Sequence, residues 1–177
     1  MGTQIDNVYL GNPLLKKANV QQEFTKEQVL EFIACKNDPV YFAKQHVKIV
    51  SLDEGLVGFK PYDFQEKLIR NFHEHRFNIC KMPRQTGKST TSVSYLLHYA
   101  VFNDNVNIGI LANKAATARD LLGRLQTAYE NLPKWMQQGI ISWNKGSLEL
   151  ENGSRILAAS TSASAVRGMS FNILFLD

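Results

Sequence analysis

The chain has few of the residues that would advertise an extracellular or metal-stapled fold. Its two cysteines, Cys35 and Cys80, lie 45 positions apart, with no CxxC pair and no histidine at a recognisable metal-ligand spacing. That pattern excludes a disulfide framework and signals no zinc site, and it fits a reduced, cytosolic setting. A positively charged leader followed by an apolar run is absent. The most apolar stretch, "YLLHYAVF", is interrupted by His98 and is too short to cross a bilayer. No internal repeat, low-complexity tract or Ser/Pro linker divides the 177 residues, so one globular unit is expected, with a polar and loosely ordered start up to about Gln22. The excess of 20 Lys+Arg over 16 Asp+Glu, a net charge of +4, permits a polyanionic partner without arguing for one.

What is present is an alternation of strand and helix signals. "TKEQVLEFIACK" opens on Thr25 as an N-cap and spaces Val29, Phe32 and Ile33 as one face; Asp38-Pro39 starts a second helix, "PVYFAKQHV". "VKIVSL" reads as a strand and "DEGLVGFKP" as a turn. "YDFQEKLIRNFHEHR" reads as an amphipathic helix with Phe64, Leu68 and Phe72 inward. "NICKM" is expected as a short strand, followed by the loop "PRQTG" and a helix with Val93, Leu96, Leu97, Ala100 and Val101 on its buried face. "VNIGILA" is a strand buried on both faces, and the next helix has an inner stripe of Ala118, Leu121, Leu122, Leu125 and Tyr129. "IISW", "SLELENGSRILAAS" with its Asn152-Gly153 turn, and "FNILFLD" supply further strands. The expected class is α/β: a three-layer P-loop NTPase fold of the RecA/ASCE kind. Its sheet would be mostly parallel, with a small antiparallel hairpin insertion and a short helical lead-in. Residues 1–46 would form the polar segment and lead-in, and 47–177 an incomplete P-loop ATPase domain.

The chemistry concentrates in "KMPRQTGKST". A phosphate-cradling loop needs N–H groups exposed at a helix N-terminus, a lysine for the β- and γ-phosphates and a hydroxyl for Mg²⁺; Gly87, Lys88 and Ser89 supply these in order. Met82 replaces the usual first glycine of the pattern, and Pro83 can fix the initial turn at the loss of one donor. Pro83, Arg84, Gln85, Thr86, Gly87, Lys88, Ser89 and Thr90 are therefore the nucleotide-binding candidates. A P-loop also calls for a carboxylate at the tip of a later buried strand, and "NILFLD" ends in Asp177. Gln65, between Tyr62 and Phe64, reads either as a reader of the adenine edge or as a surface amide on an amphipathic helix. Arg84 is either a γ-phosphate contact or a solvated side chain; Arg167 is either an arginine finger or part of a plain surface loop.

With "PRQTGKST", "GIISWNKGSLELENGSRI" and "SASAVRGMSF" leading into "ILFLD", residues from about Phe24 to Asp177 resemble the N-terminal ATPase region of the large terminase subunit of tailed phages, myovirus type. The resemblance implies an ATP- and Mg²⁺-dependent motor that drives double-stranded DNA into a prohead in the host cytoplasm. It implies a homo-oligomer working with a portal protein and a small terminase subunit, and no membrane. It assigns Lys88 and Ser89 to phosphate and Mg²⁺, Asp177 to the Walker B position, Gln65 to the adenine side, and Arg84 to the triggering of hydrolysis. The family's catalytic Glu follows that Asp, and an endonuclease domain comes later; ending at Asp177, this chain is expected to bind nucleotide and hydrolyse it poorly. The competing readings are a superfamily 2 helicase-like translocase and a non-catalytic nucleotide-binding module.

Overall fold

The computed structural model describes residues 7–51, 53–162 and 168–177. Elements run in the order β1 (Val8–Tyr9), β2 (Asn12–Lys16), α1 (Lys26–Asn37), α2 (Pro39–His46), β3 (Lys48–Ser51), β4 (Gly55–Gly58), α3 (Asp63–Glu74), α4 (Lys88–Phe102), β5 (Asn107–Ala112), α5 (Ala115–Glu130), β6 (Ile140–Trp143), β7 (Ser147–Leu150), β8 (Arg155–Ser160) and β9 (Ile173–Leu176).

Five strands form the main sheet in the order β6-β7-β8-β5-β9. β5 pairs in parallel with β8 and with β9, while β6–β7 and β7–β8 are antiparallel. The sheet is thus mixed, not mostly parallel: the short turn at Asn152-Gly153, with Gly153 at φ 78°, reverses the chain directly into β8 and makes the antiparallel half as large as the parallel one. β5 lies between β8 and β9 and is buried, with Ile108 and Ile110 facing the helices. α5 lies on that face with Ala118, Leu121, Leu122, Leu125 and Tyr129 all buried, as their spacing predicts. α4 packs against α5 on one side and α2 and α3 on the other, so nearly every residue from Thr91 to Phe102 is buried. The opposite face, carrying Leu174 and Leu176 at 50% and 64% exposure, is not covered by a helix among the described residues, so three layers are not seen there.

Several expectations change. β9, expected as a buried strand, is an edge strand whose side chains alternate between half-buried and exposed. Residues 78–82, expected as a strand, join no ladder among the described residues, and Ile79 projects into solvent, as does the preceding Phe77. On α1 the buried residue is Cys35; Val29 and Ile33 face outward while Phe32 packs inward against Phe102. On α3, Ile69 rather than Phe64 is buried beside Leu68. "DEGLVGFKP" contains β4, which pairs antiparallel with β3. The polar start packs on the core over its described part: Leu15 belongs to the core, and the buried Gln137 amide accepts from Lys16 N–H and donates to Leu14 C=O.

α1 and α2 meet without a linker. Thr25 forms a capping box with Gln28 at the start of α1. Asp38 closes α1 and, as N-cap of α2, accepts from Val40 N–H at 2.8 Å and Tyr41 N–H at 3.1 Å. Pro39 at the first helical position needs no donor there.

Candidate nucleotide site

The loop from Met82 to Gly87 is a self-bonded ring in front of α4. Lys88 Nζ donates to Met82 C=O at 3.1 Å, and Thr86 Oγ1 donates to Pro83 C=O at 3.0 Å. Thr91, fully buried one turn into α4, donates from Oγ1 to Gly87 C=O at 3.0 Å. Gln85 and Gly87 both take left-handed backbone, φ 62° and 75°. Gly87 meets this at no steric cost, whereas Gln85 stores about 1–2 kcal/mol.

Gln65 connects this loop to the start of α3. It is 4% exposed; its Oε1 accepts from Tyr62 N–H at 2.9 Å and its Nε2 donates to Thr86 C=O at 3.1 Å. A Cβ on Gly87 would stand 2.5 Å from that Nε2, so the amide and the glycine fit only together. The neighbouring rings of Tyr62 and Phe64 stack at 5.7 Å with planes 11° apart and are largely exposed.

α1 and α2 begin under side-chain caps, but α4 has no side-chain cap hydrogen bond and no acid in its first turn. Its leading N–H groups and the positive end of its dipole are therefore available to an anion. Lys88, Ser89 and Thr90 form that first turn and are partly buried. Beside it runs a groove of about 630 Å³ between α3 and α4 on one side and β9 on the other; Lys88, Ser92, Cys80 and Asp177 all line it. Asp177 N–H extends the β9 pairing to Leu111 C=O at 2.9 Å, which carries its exposed carboxylate to the loop end of the sheet. Cys80 is exposed, but desolvation by the neighbouring groove wall raises its thiol pKa, an effect opposed by the charge of Lys88.

The fold thus collects Gln65, Met82 to Thr90 and Asp177 at one end of the sheet. Arg84 is exposed and makes no hydrogen bond or ion pair among the described residues. Arg167 lies outside the described residues. Thr91 and the Met82 carbonyl were not singled out by sequence; the doubled threonine of "KSTT" is the only trace of the former.

Among known proteins, residues 79–177, more than half of the chain, match a family model described as the terminase large subunit, T4likevirus-type, N-terminal. The structure is also similar to the crystal structure of the HK97 bacteriophage large terminase, with a TM-score of 0.65 and 18% identity. That likeness covers 80% of this chain and 30% of the HK97 protein, and at such identity it speaks to fold. No helix among the described residues is long and apolar enough to cross a membrane.

Proposed function

The chain belongs to the large terminase subunits of the T4-like type, in their N-terminal region, and from that premise we propose that it is the ATP-binding part of a DNA-packaging motor. One observation supports the nucleotide reading above all: an uncapped α4 N-terminus, preceded by left-handed Gly87, carries Lys88 into the same groove as Asp177. The residues fit ATP–Mg²⁺ in their donor set. Backbone N–H groups and Lys88 suit phosphate oxygens, and the Ser89 hydroxyl and Asp177 carboxylate are the hard oxygen ligands that Mg²⁺ takes. When bound, ATP supplies the phosphoanhydride whose cleavage drives the motor.

In this reading Lys88 exchanges its Met82 carbonyl for the β- and γ-phosphates, so the loop is held in shape beforehand by the bond that binding replaces. Gln65 acts from behind the loop, with Tyr62 and Phe64 offering an exposed aromatic surface on the adenine side. Arg84 reaches toward the γ-phosphate and acts as the trigger for hydrolysis. The lead-in of residues 1–46 and the domain of 47–177 form one working unit. The substrate is double-stranded DNA, the partners are a portal protein and a small terminase subunit, the assembly is a homo-oligomer, and the setting is the host cytoplasm. These attributions rest on membership of the family.

The test is equilibrium binding of a fluorescent ATP analogue with Mg²⁺ to the 177-residue chain and to Lys88→Ala. Losing a charge-assisted phosphate contact of about 1.5–3 kcal/mol should weaken binding roughly 10- to 100-fold. Equal affinity in the two proteins would remove Lys88, and with it the nucleotide reading of this loop.

A further inference from the structure

Away from the loop, the α1–α2 corner gathers three side chains of metal-binding type that sequence spacing did not connect. Glu31 and Cys35 stand one helical turn apart on the same face of α1. The linker-free turn at Asp38 brings back His46, the last residue of α2, to meet them. His46 Nε2 is 2.7 Å from Glu31 Oε1 and Cys35 Sγ is 3.6 Å from the same oxygen; all three donor atoms lie within 4.8 Å of one another.

We infer that Glu31, Cys35 and His46 form a binding site for a zinc-class divalent transition metal, with a fourth coordination position open on the solvent side. A thiolate, an imidazole and a carboxylate together suit zinc, cobalt(II) and their neighbours rather than Mg²⁺ or Ca²⁺. In a tetrahedral centre with ordinary zinc bond lengths, neighbouring donor atoms sit about 3.3–3.6 Å apart. The Cys35–Glu31 separation already has that value; the His46–Glu31 contact needs to open by roughly 0.6 Å to admit the ion.

The surroundings support the donors as an outer shell does. Tyr41 Oη donates to Glu31 Oε2 at 3.0 Å, which fixes the carboxylate while leaving Oε1 toward Cys35 and His46. The His46 ring meets the Trp135 ring edge-on at 6.1 Å, and Phe42 lies 6.3 Å away. The Cys35 backbone is held in turn by His98, whose Nε2–H donates to Cys35 C=O at 2.9 Å. Cys35 is wholly buried, while the side chains of His46 and Glu31 are 14% and 29% exposed, so an ion would arrive from their side. Burial and the adjacent Glu31 carboxylate push the thiol pKa up to about 12, so the thiolate forms only as the arriving cation displaces its proton to solvent. The bound ion would tie the end of α2 to the middle of α1.

The test uses the reduced, tag-free 177-residue chain carrying Cys80→Ser, which removes the exposed thiol. Titration with cobalt(II) should give a thiolate-to-cobalt charge-transfer absorption that saturates at one equivalent and is displaced by zinc. Cys35→Ser should abolish the band; Glu31→Gln and His46→Gln, at partly exposed positions that leave the core intact, should each weaken binding by at least about tenfold. Absence of the band at millimolar cobalt, or a band of unchanged affinity in both Glu31→Gln and His46→Gln, would overturn the site whether or not Cys35→Ser folds.

Discussion

The Gln65 amide nitrogen donates to the Thr86 carbonyl at 3.1 Å and leaves no room for a Cβ on the next residue, Gly87. Two separate constraints therefore fall on Gly87: the left-handed backbone and the contact with Gln65. Gly87→Ala should lose nucleotide binding and cost about 1–2 kcal/mol in backbone strain alone. In a Gln65→Ala background the contact disappears and the strain remains. A double-mutant cycle read by nucleotide affinity and denaturant midpoint should show the second substitution milder than the first by more than about 0.5 kcal/mol. Strict additivity would mean that the amide does not shape the loop.

Arg84 separates binding chemistry from folding. Exposed, and without a partner among the described residues, it should be removable with an unfolding free-energy change within about 0.5 kcal/mol. Arg84→Ala should still weaken affinity for a Mg²⁺–nucleotide about tenfold through the lost charge-assisted contact. A fall in thermal midpoint matching the loss of affinity would instead make it a structural residue.

At the far end of α4, Asn152 Nδ2 donates to both Ala100 C=O and Asn103 C=O, at 2.9 and 3.0 Å, and its Oδ1 accepts from Ser154 N–H. Ser154 Oγ adds a further bond to Asn103 C=O at 2.8 Å. Asn152→Ala strips the helix end of these donors at once and should cost about 2–3 kcal/mol, measured by urea unfolding. Asn152→Asp keeps the acceptor but not the donors, and should recover little of that loss.

His98 gives the chain an acid-sensitive core. Burial lowers its pKa from 6.5 to about 4, and the neutral ring donates from Nε2 while Nδ1 is buried with no partner among the described residues. Because the unfolded chain takes up this proton more readily than the folded one, the stabilisation is complete above about pH 6.5 and declines as pH falls toward 4. Between pH 7 and pH 5 this group should remove about 2 kcal/mol. His98→Gln retains an N–H donor without titrating, so its denaturant midpoints at the two pH values should differ by correspondingly less. The same pH sensitivity in both proteins would assign the effect elsewhere.

Sequence patterning reveals what local rules decide. The α5 stripe from Ala118 to Tyr129, the Thr25 and Asp38 caps and the Asn152-Gly153 turn each depend on residues a few positions apart, and each is where the pattern places it. Residues 78–82 have strand-like composition, but a strand exists only by pairing, and no neighbour among the described residues offers them a ladder. The outward turn of Val29 and Ile33 has a related cause: α2, folded back at the Asp38 corner, and α4, remote in sequence, decide which face of α1 is covered. At the nucleotide site, the loop motif placed Gly87, Lys88 and Ser89 at a helix start, but the double engagement of Gln65 required the path of α3 across the loop. Cys35 and His46 came together only through the α1–α2 corner.

That corner consists of one residue. Asp38 ends one helix, begins the next and stands 3.7 Å from the Arg70 guanidinium of α3, so three helices take their bearings from a single carboxylate. A corner with no spare length cannot absorb an insertion. Each added helical residue rotates the downstream chain by about 100° and advances it about 1.5 Å, enough to swing His46 off Glu31 and Phe42 out of the core. The loop at 53–54, between β3 and β4, has no such duty. Variation in chain length within this region should therefore collect at the hairpin tip and leave Asn37-Asp38-Pro39 at constant length.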